Sequence, residues 1–183
     1  MKRHARKFIC LCLSLLLTAG LISCSMYGQR KVADEAYLNV RTQIMSERRP
    51  QGSEDMTVYT AMIDIDAGDH VKTLVCLADG TTHLYLSTGE AYTDLHLDDP
   101  ELAAASQALL EGLGDRLDHT MWLSKTDLAL PQTNRDLIYL RSDQGIHSVT
   151  LIPARIAESP DEIQEIYGLY RAVYQAVASK IAP

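Results

Sequence analysis

The chain has 183 residues, enough for one ordinary domain and an appendage. Its 46% apolar and 22% charged content belongs to a folding sequence and excludes wholesale disorder. The formal net charge is −7, yet the first 23 residues carry Lys2, Arg3, Arg6 and Lys7 and no acid, so the remainder holds 13 basic against 24 acidic side chains. Nucleic-acid phosphates and anionic headgroups are bound by clustered Lys and Arg. No nucleic-acid partner is therefore expected.

Residues 1–7 (MKRHARK) form a basic head, and residues 8–22 (FICLCLSLLLTAGLI) an apolar run of 15 residues. That run is short of the roughly 20 residues a membrane span needs and usual for a signal-peptide core. Leu21-Ile22-Ser23-Cys24 closes it. Head, core and cysteine together resemble the signal and lipobox of bacterial lipoproteins, a resemblance that covers residues 1–24 only. It implies removal of residues 1–23, a thioether-linked diacylglycerol on Cys24, and acylation of the new amino terminus. Two or three acyl chains moor a soluble body where one holds it only marginally. The family's usual inner-membrane retention signal is Asp after the lipidated cysteine. Ser25 stands there, which implies the outer membrane in a cell with two membranes and the outer face of the cytoplasmic membrane otherwise. An ordinary secretory signal with a chance cysteine, or an uncleaved anchor, is the alternative.

With Cys10 and Cys12 in the leader and Cys24 lipidated, Cys76 has no partner, so no intramolecular disulfide is expected. Residues 25–31 read as a polar tether. Ala33, Ala36, Tyr37, Val40 and Ile44 then recur at helical spacing to about Glu47. The stretch 46–55, with Pro50 and Gly52, reads as a linker. The expected division is thus a signal peptide at 1–23, a lipidated tether, helix and linker at 24–55, and a folded domain at 56–183.

Within that domain, residues 56–66 alternate as a strand, with Tyr59, Ala61, Ile63 and Ile65 on one face and Thr60, Asp64 and Asp66 on the other. VKTLVCLA and TTHLYLST, separated by Asp79-Gly80, predict a hairpin with a two-residue type I′ turn. That turn sets Cys76 opposite His83 and Val75 opposite Leu84. Asp99 and Pro100 start a helix with Leu102, Ala105, Leu109, Leu113 and Leu117 as its stripe. Met121-Trp122-Leu123 is expected to close against the sheet, and 124–135 to be loop. DLIYLR and IHSVTLI form a second hairpin around Asp143-Gln144-Gly145. Ser159 and Glu162 bracket Pro160 as a capping box, opening a final helix of about four turns that carries Ile163, Ile166, Tyr167, Tyr170, Val173, Tyr174 and Val177.

The predicted fold is α+β: a five-stranded antiparallel sheet with helices packed on it, in the order α-βββ-α-ββ-α. This outline is similar to profilin-like and roadblock-type domains, and LVCLADGTTHLYLSTG is similar to the hairpin of small uncharacterised bacterial proteins. Neither likeness brings an activity with it.

Candidate chemistry is sparse. His70, His83, His96, His119 and His147 never fall three or four residues apart, and no HExxH or CxxC occurs, so no metal site is expected. No GxSxG, phosphate loop or dinucleotide fingerprint is present, so no cofactor is expected either. Asp64, Asp66 and Asp69 resemble the start of a calcium loop, but Asp69 and Val75 occupy the places that need Gly and Glu; a solvated strand end and turn is expected. The Cys76–His83 cross-strand pair is the most chemical feature, since an adjacent imidazolium lowers a thiol's pKa. It has no visible oxyanion hole or orienting carboxylate, so a buried cysteine beside a polar neighbour is expected. The leading functional expectation is a membrane-tethered, non-catalytic domain that binds an envelope protein or a small ligand. A thiol enzyme using Cys76 and His83, or a small-molecule sensor, is the alternative.

Overall fold

Alternation of apolar side chains across VYTAMIDID produces the strand on which everything else is laid. The computed structural model describes residues 31–119 and 121–181. In it β1 (Val58–Asp66) is buried at every position but the last. It pairs antiparallel with β2 (Val71–Leu77) on one side and β6 (Asp136–Ser142) on the other. Beyond β2 come β3 (Thr82–Leu86) and β4 (Ala91–Tyr92); beyond β6 come β7 (Gly145–Leu151) and β5 (Leu123–Lys125). The sheet order is β4-β3-β2-β1-β6-β7-β5, antiparallel throughout.

The mixed helix-and-sheet fold is as expected, but the sheet has seven strands, not five. The two additions, β4 and β5, are edge strands of two and three residues. Such segments are too short to show a period of two; β5 starts at Leu123, expected to close against the sheet, and extends into residues expected to be loop. Their brevity also leaves little unpaired ladder at the sheet margins.

The first hairpin differs from expectation in register. Cys76 pairs with Thr82, Val75 with His83 and Leu74 with Leu84, one residue away from the predicted pairing. Gly80 has φ +88°, whereas Asp79 is not among the positive-φ residues. The Gly80 N–H bonds the Leu77 carbonyl (2.9 Å) and the Leu77 N–H bonds the Thr81 carbonyl (2.9 Å). This is a three-residue loop, Ala78-Asp79-Gly80, with glycine at its left-handed position, in place of the two-residue turn. A type I′ turn needs positive φ at both central residues, and here only the glycine supplies it. Because side chains alternate with period two, one extra loop residue moves β3 across to the opposite face. Leu84 joins the main core, while His83 and Tyr85 turn to the other side.

Two helices cover one face. α2 (Pro100–Gly114) starts as predicted: Asp99 accepts the Leu102 N–H at 2.8 Å and Pro100 occupies the first turn. It buries Leu102, Leu109, Leu110 and Leu113, and α3 (Asp161–Ile181) buries Ile166, Tyr170, Val173 and Val177 against it. A Cβ on Gly112 would lie 2.7 Å from Leu169 Cδ1, so the glycine lets the two helices approach closely. Trp122 closes the layer, its indole N–H donating to the Arg116 carbonyl (2.8 Å).

The predicted capping box does not form. A 3₁₀ helix (Pro153–Glu158) precedes α3, and the Ser159 hydroxyl donates back to the Arg155 carbonyl (3.1 Å). Glu162 faces His119 instead (3.1 Å). The helix runs 21 residues, past the four turns expected.

On the opposite face lies α1 (Glu35–Ser46), capped by Asp34, which accepts the Ala36 N–H at 2.7 Å. It packs Ile44 and Met45 on Met62, Val75 and Tyr139. The expected division at residue 55 therefore falls inside one compact unit, Lys31–Pro183, and the 46–55 stretch is a surface turn rather than a boundary. Arg49 ties that turn down by donating to the carbonyls of Ser53 (2.7 Å), Glu54 (3.0 Å) and Met56 (2.8 Å).

Replacing Gly80 by Ala should lower the urea midpoint by an amount equivalent to about 1–2 kcal/mol, the cost of a left-handed Cβ. The new methyl would also meet Ala103 Cβ at 3.1 Å. Gly52→Ala, whose Cβ would meet nothing within 4 Å, should show only the backbone part of that loss.

Candidate functional site

The polar chemistry gathers under α1. Asp64 stands in the middle of the sheet and is fully buried, and Arg41 of α1 is 1% exposed above it. The Arg41 guanidinium ion-pairs with the Asp64 carboxylate. Thr73, directly opposite Asp64 on β2, donates to the same carboxylate (2.7 Å). Its single hydroxyl proton is thereby used, so the Tyr37 hydroxyl, 2.6 Å away, donates to Thr73. Burial pushes the Asp64 carboxyl upward, while Arg41 and Thr73 pull it down; the upward push prevails. Burial likewise raises the Tyr37 hydroxyl, with the Asp64 charge adding to it.

Arg41 also binds the loop that links β5 to β6. Its Nη1 donates to the Leu128 carbonyl (2.9 Å) and its Nη2 to Ala129 (3.2 Å), where the Tyr139 hydroxyl also donates (2.8 Å). The guanidinium lies 5.7 Å and 5.9 Å from the ring centres of Tyr37 and Tyr139, within cation–π range. Arg41 Nε is buried without a partner.

α1 leaves a groove on each side. The larger, about 480 Å³, is bounded by α1, the loop at Thr126 and Leu128, and the β6–β7 hairpin at Arg141 and Ile146. The smaller, about 250 Å³, lies toward β2 and β3 and is lined by Val40, Ile44, Glu47, Val75, His83 and Tyr85.

The Cys76–His83 pair expected from the sequence does not exist, because the two side chains point to opposite faces. Cys76 is fully buried under α2, where its Sγ accepts from Ser106 (3.5 Å), and burial pushes the thiol up to about 12. His83 lines the smaller groove and accepts the Asp94 N–H at Nδ1 (2.9 Å). The neutral ring therefore carries its proton on Nε2. Burial lowers its pKa.

The three aspartates once aligned with a calcium loop part company. Asp64 is buried in the pair with Arg41, not solvated as expected. Asp66 ion-pairs with Lys31 and accepts the N–H groups of Asn134 and Gly68; burial pushes its carboxyl up, but those bonds outweigh it and hold the pKa low. Asp69 faces solvent beside His70. Among the described residues no group of three His, Cys, Asp or Glu side chains is arranged to hold a metal ion. Of the tyrosines on α3, Tyr170 is core and donates to the buried Asp136, while Tyr167 and Tyr174 are partly covered. Leu21-Ile22-Ser23-Cys24 lies outside the described residues.

Sequence reasoning passed over Arg41 and read Asp64 as part of a solvated strand end. The signal was present: Arg41 falls between Tyr37 and Ile44 on the buried stripe of α1, and Asp64 shares a strand face with Met62. A charge on a buried stripe requires a partner on the surface it meets. Comparisons of this chain with protein-family models, curated proteins and solved structures find no match.

Asp64→Asn should cost about 3–5 kcal/mol in urea unfolding, the penalty for leaving the Arg41 cation buried without its counter-charge. Arg41→Met combined with Asp64→Leu should recover much of that loss. Cys76 in the folded protein should resist iodoacetamide at pH 7.5 and react only once urea unfolds the chain. Rapid native labelling would contradict the buried placement.

Proposed function

We propose that the chain is a bacterial envelope lipoprotein, moored through lipid on Cys24, whose body is a non-catalytic domain that binds an envelope protein or a small ligand. The observation that carries the mooring is Leu21-Ile22-Ser23-Cys24 at the end of a 15-residue apolar run behind a basic head. Among the described residues no helix is long and apolar enough to cross a membrane. A covalent lipid would supply attachment without one.

The binding role is supported by the two grooves beside α1, which combine apolar walls with a few placed polar groups, the usual make-up of a ligand site. The sensor reading draws on the same grooves. The thiol-enzyme reading loses its geometric basis with the register of the first hairpin, since the imidazole is not beside the sulfur.

Growing cells on an alkyne fatty-acid analogue should label the wild-type protein and leave Cys24→Ala unlabelled. Equal labelling of the two would remove the anchor. Crosslinking in intact cells should recover a defined partner for the wild type and lose it when the groove lip is altered by Leu38→Glu.

A further inference from the structure

The larger groove is lined by two arginines in a chain that is acidic overall. Leu38, Met45, Leu128 and Ile146 supply apolar walls, Arg41 and Arg141 supply charge, and no Asp or Glu lines it. The Arg41 charge is answered by Asp64. That of Arg141 is not. Its Nε donates to the Tyr59 hydroxyl (3.1 Å), which orients the side chain; among the described residues it enters no ion pair, and its Nη atoms make no hydrogen bond. The acid nearest in sequence, Asp143, is held by Arg49 (2.6 Å).

We propose that this groove binds a small amphiphilic carboxylate. Its apolar part lies against Leu38, Met45, Leu128 and Ile146, and its two oxygens accept the Nη donors of Arg141. A guanidinium fork matches the geometry of a carboxylate with two parallel hydrogen bonds. A wholly polar anion such as inorganic phosphate would leave the four apolar walls facing water, and a neutral amphiphile would leave the cation unanswered. The volume, about 480 Å³, suits a ligand of this size. The proposal names the ligand class of the binding site described under the proposed function and rests on that reading of the groove, not on Cys24.

The test uses the full chain in dodecyl maltoside, titrated with octanoate while the methyl NMR signals of Leu128 and Ile146 are followed. Octylammonium serves as the opposite-charge control. Every protein variant shares the same micelle, so partition of the probe into detergent cancels between them. The expected result is a saturable shift with octanoate and none with octylammonium. Arg141→Gln should weaken octanoate binding about tenfold or more, the worth of a charge-assisted hydrogen-bond pair, with the core methyl signals unmoved. Leu38→Glu, at a position 38% exposed and therefore safe for folding, should weaken it similarly. Equal binding of the two probes, unchanged affinity in Arg141→Gln, or no saturable shift overturns the proposal. Loss of a crosslinked protein partner in Leu38→Glu without octanoate binding to the wild type would overturn the carboxylate while keeping the groove as a binding surface.

Discussion

A carboxylate buried at the centre of a sheet demands a counter-charge, and meeting that demand organises one whole side of this molecule. Asp64 on the central strand has no access to water. The ion pair with Arg41 therefore dictates where α1 crosses the sheet, and two further Nη protons reach the Leu128 and Ala129 carbonyls. Helix, strand and loop are joined at one side chain. A buried pair of this kind adds little net stability over a well-packed apolar replacement. Its contribution is positional, because an apolar contact tolerates sliding and a bonded guanidinium does not.

The two faces of the sheet consequently differ in character. Under α2 and α3 the contacts are almost wholly apolar, with leucines, valines and Tyr170 closing over Ile63, Leu74, Leu84 and Ile138. Here the polar exceptions are locally satisfied, Ser106 beside Thr82 (2.6 Å) and Cys76, and Asp136 by the Tyr170 hydroxyl. Under α1 a single helix covers a wide sheet, so grooves remain along both its flanks. The thinly covered face is where ligand-sized space meets a cation that, among the described residues, has no ion-pair partner, and the densely covered one is where Cys76 is sealed away.

Much of this was legible in advance. The strand at 58–66, the Asp99-Pro100 helix start, the second hairpin and the long last helix all follow from period, caps and turn residues. The misreadings have specific causes. Asp79-Gly80 matches two turn types that differ by one residue, and only the φ of Asp79 separates them. β4 and β5 exist because β3 and β7 offer open edges to pair with; their own two or three residues carry no pattern. Ser159 has the spacing of a cap, but a 3₁₀ turn before it presents the Arg155 carbonyl as a competing acceptor.

The amino-acid order alone determined the α+β class and the principal strands and helices, because these depend on local period. The tetrapeptide ending at Cys24, on which the proposed lipid anchor rests, is likewise read from the chain order. Tertiary structure alone decided which side chains share a face across a hairpin, and hence that Cys76 and His83 are separated. It likewise decided that Arg41 meets Asp64 and that, among the described residues, Arg141 enters no ion pair. Those outcomes depend on register and on one element lying over another, and burial converts such placements into energies that no local window of sequence contains.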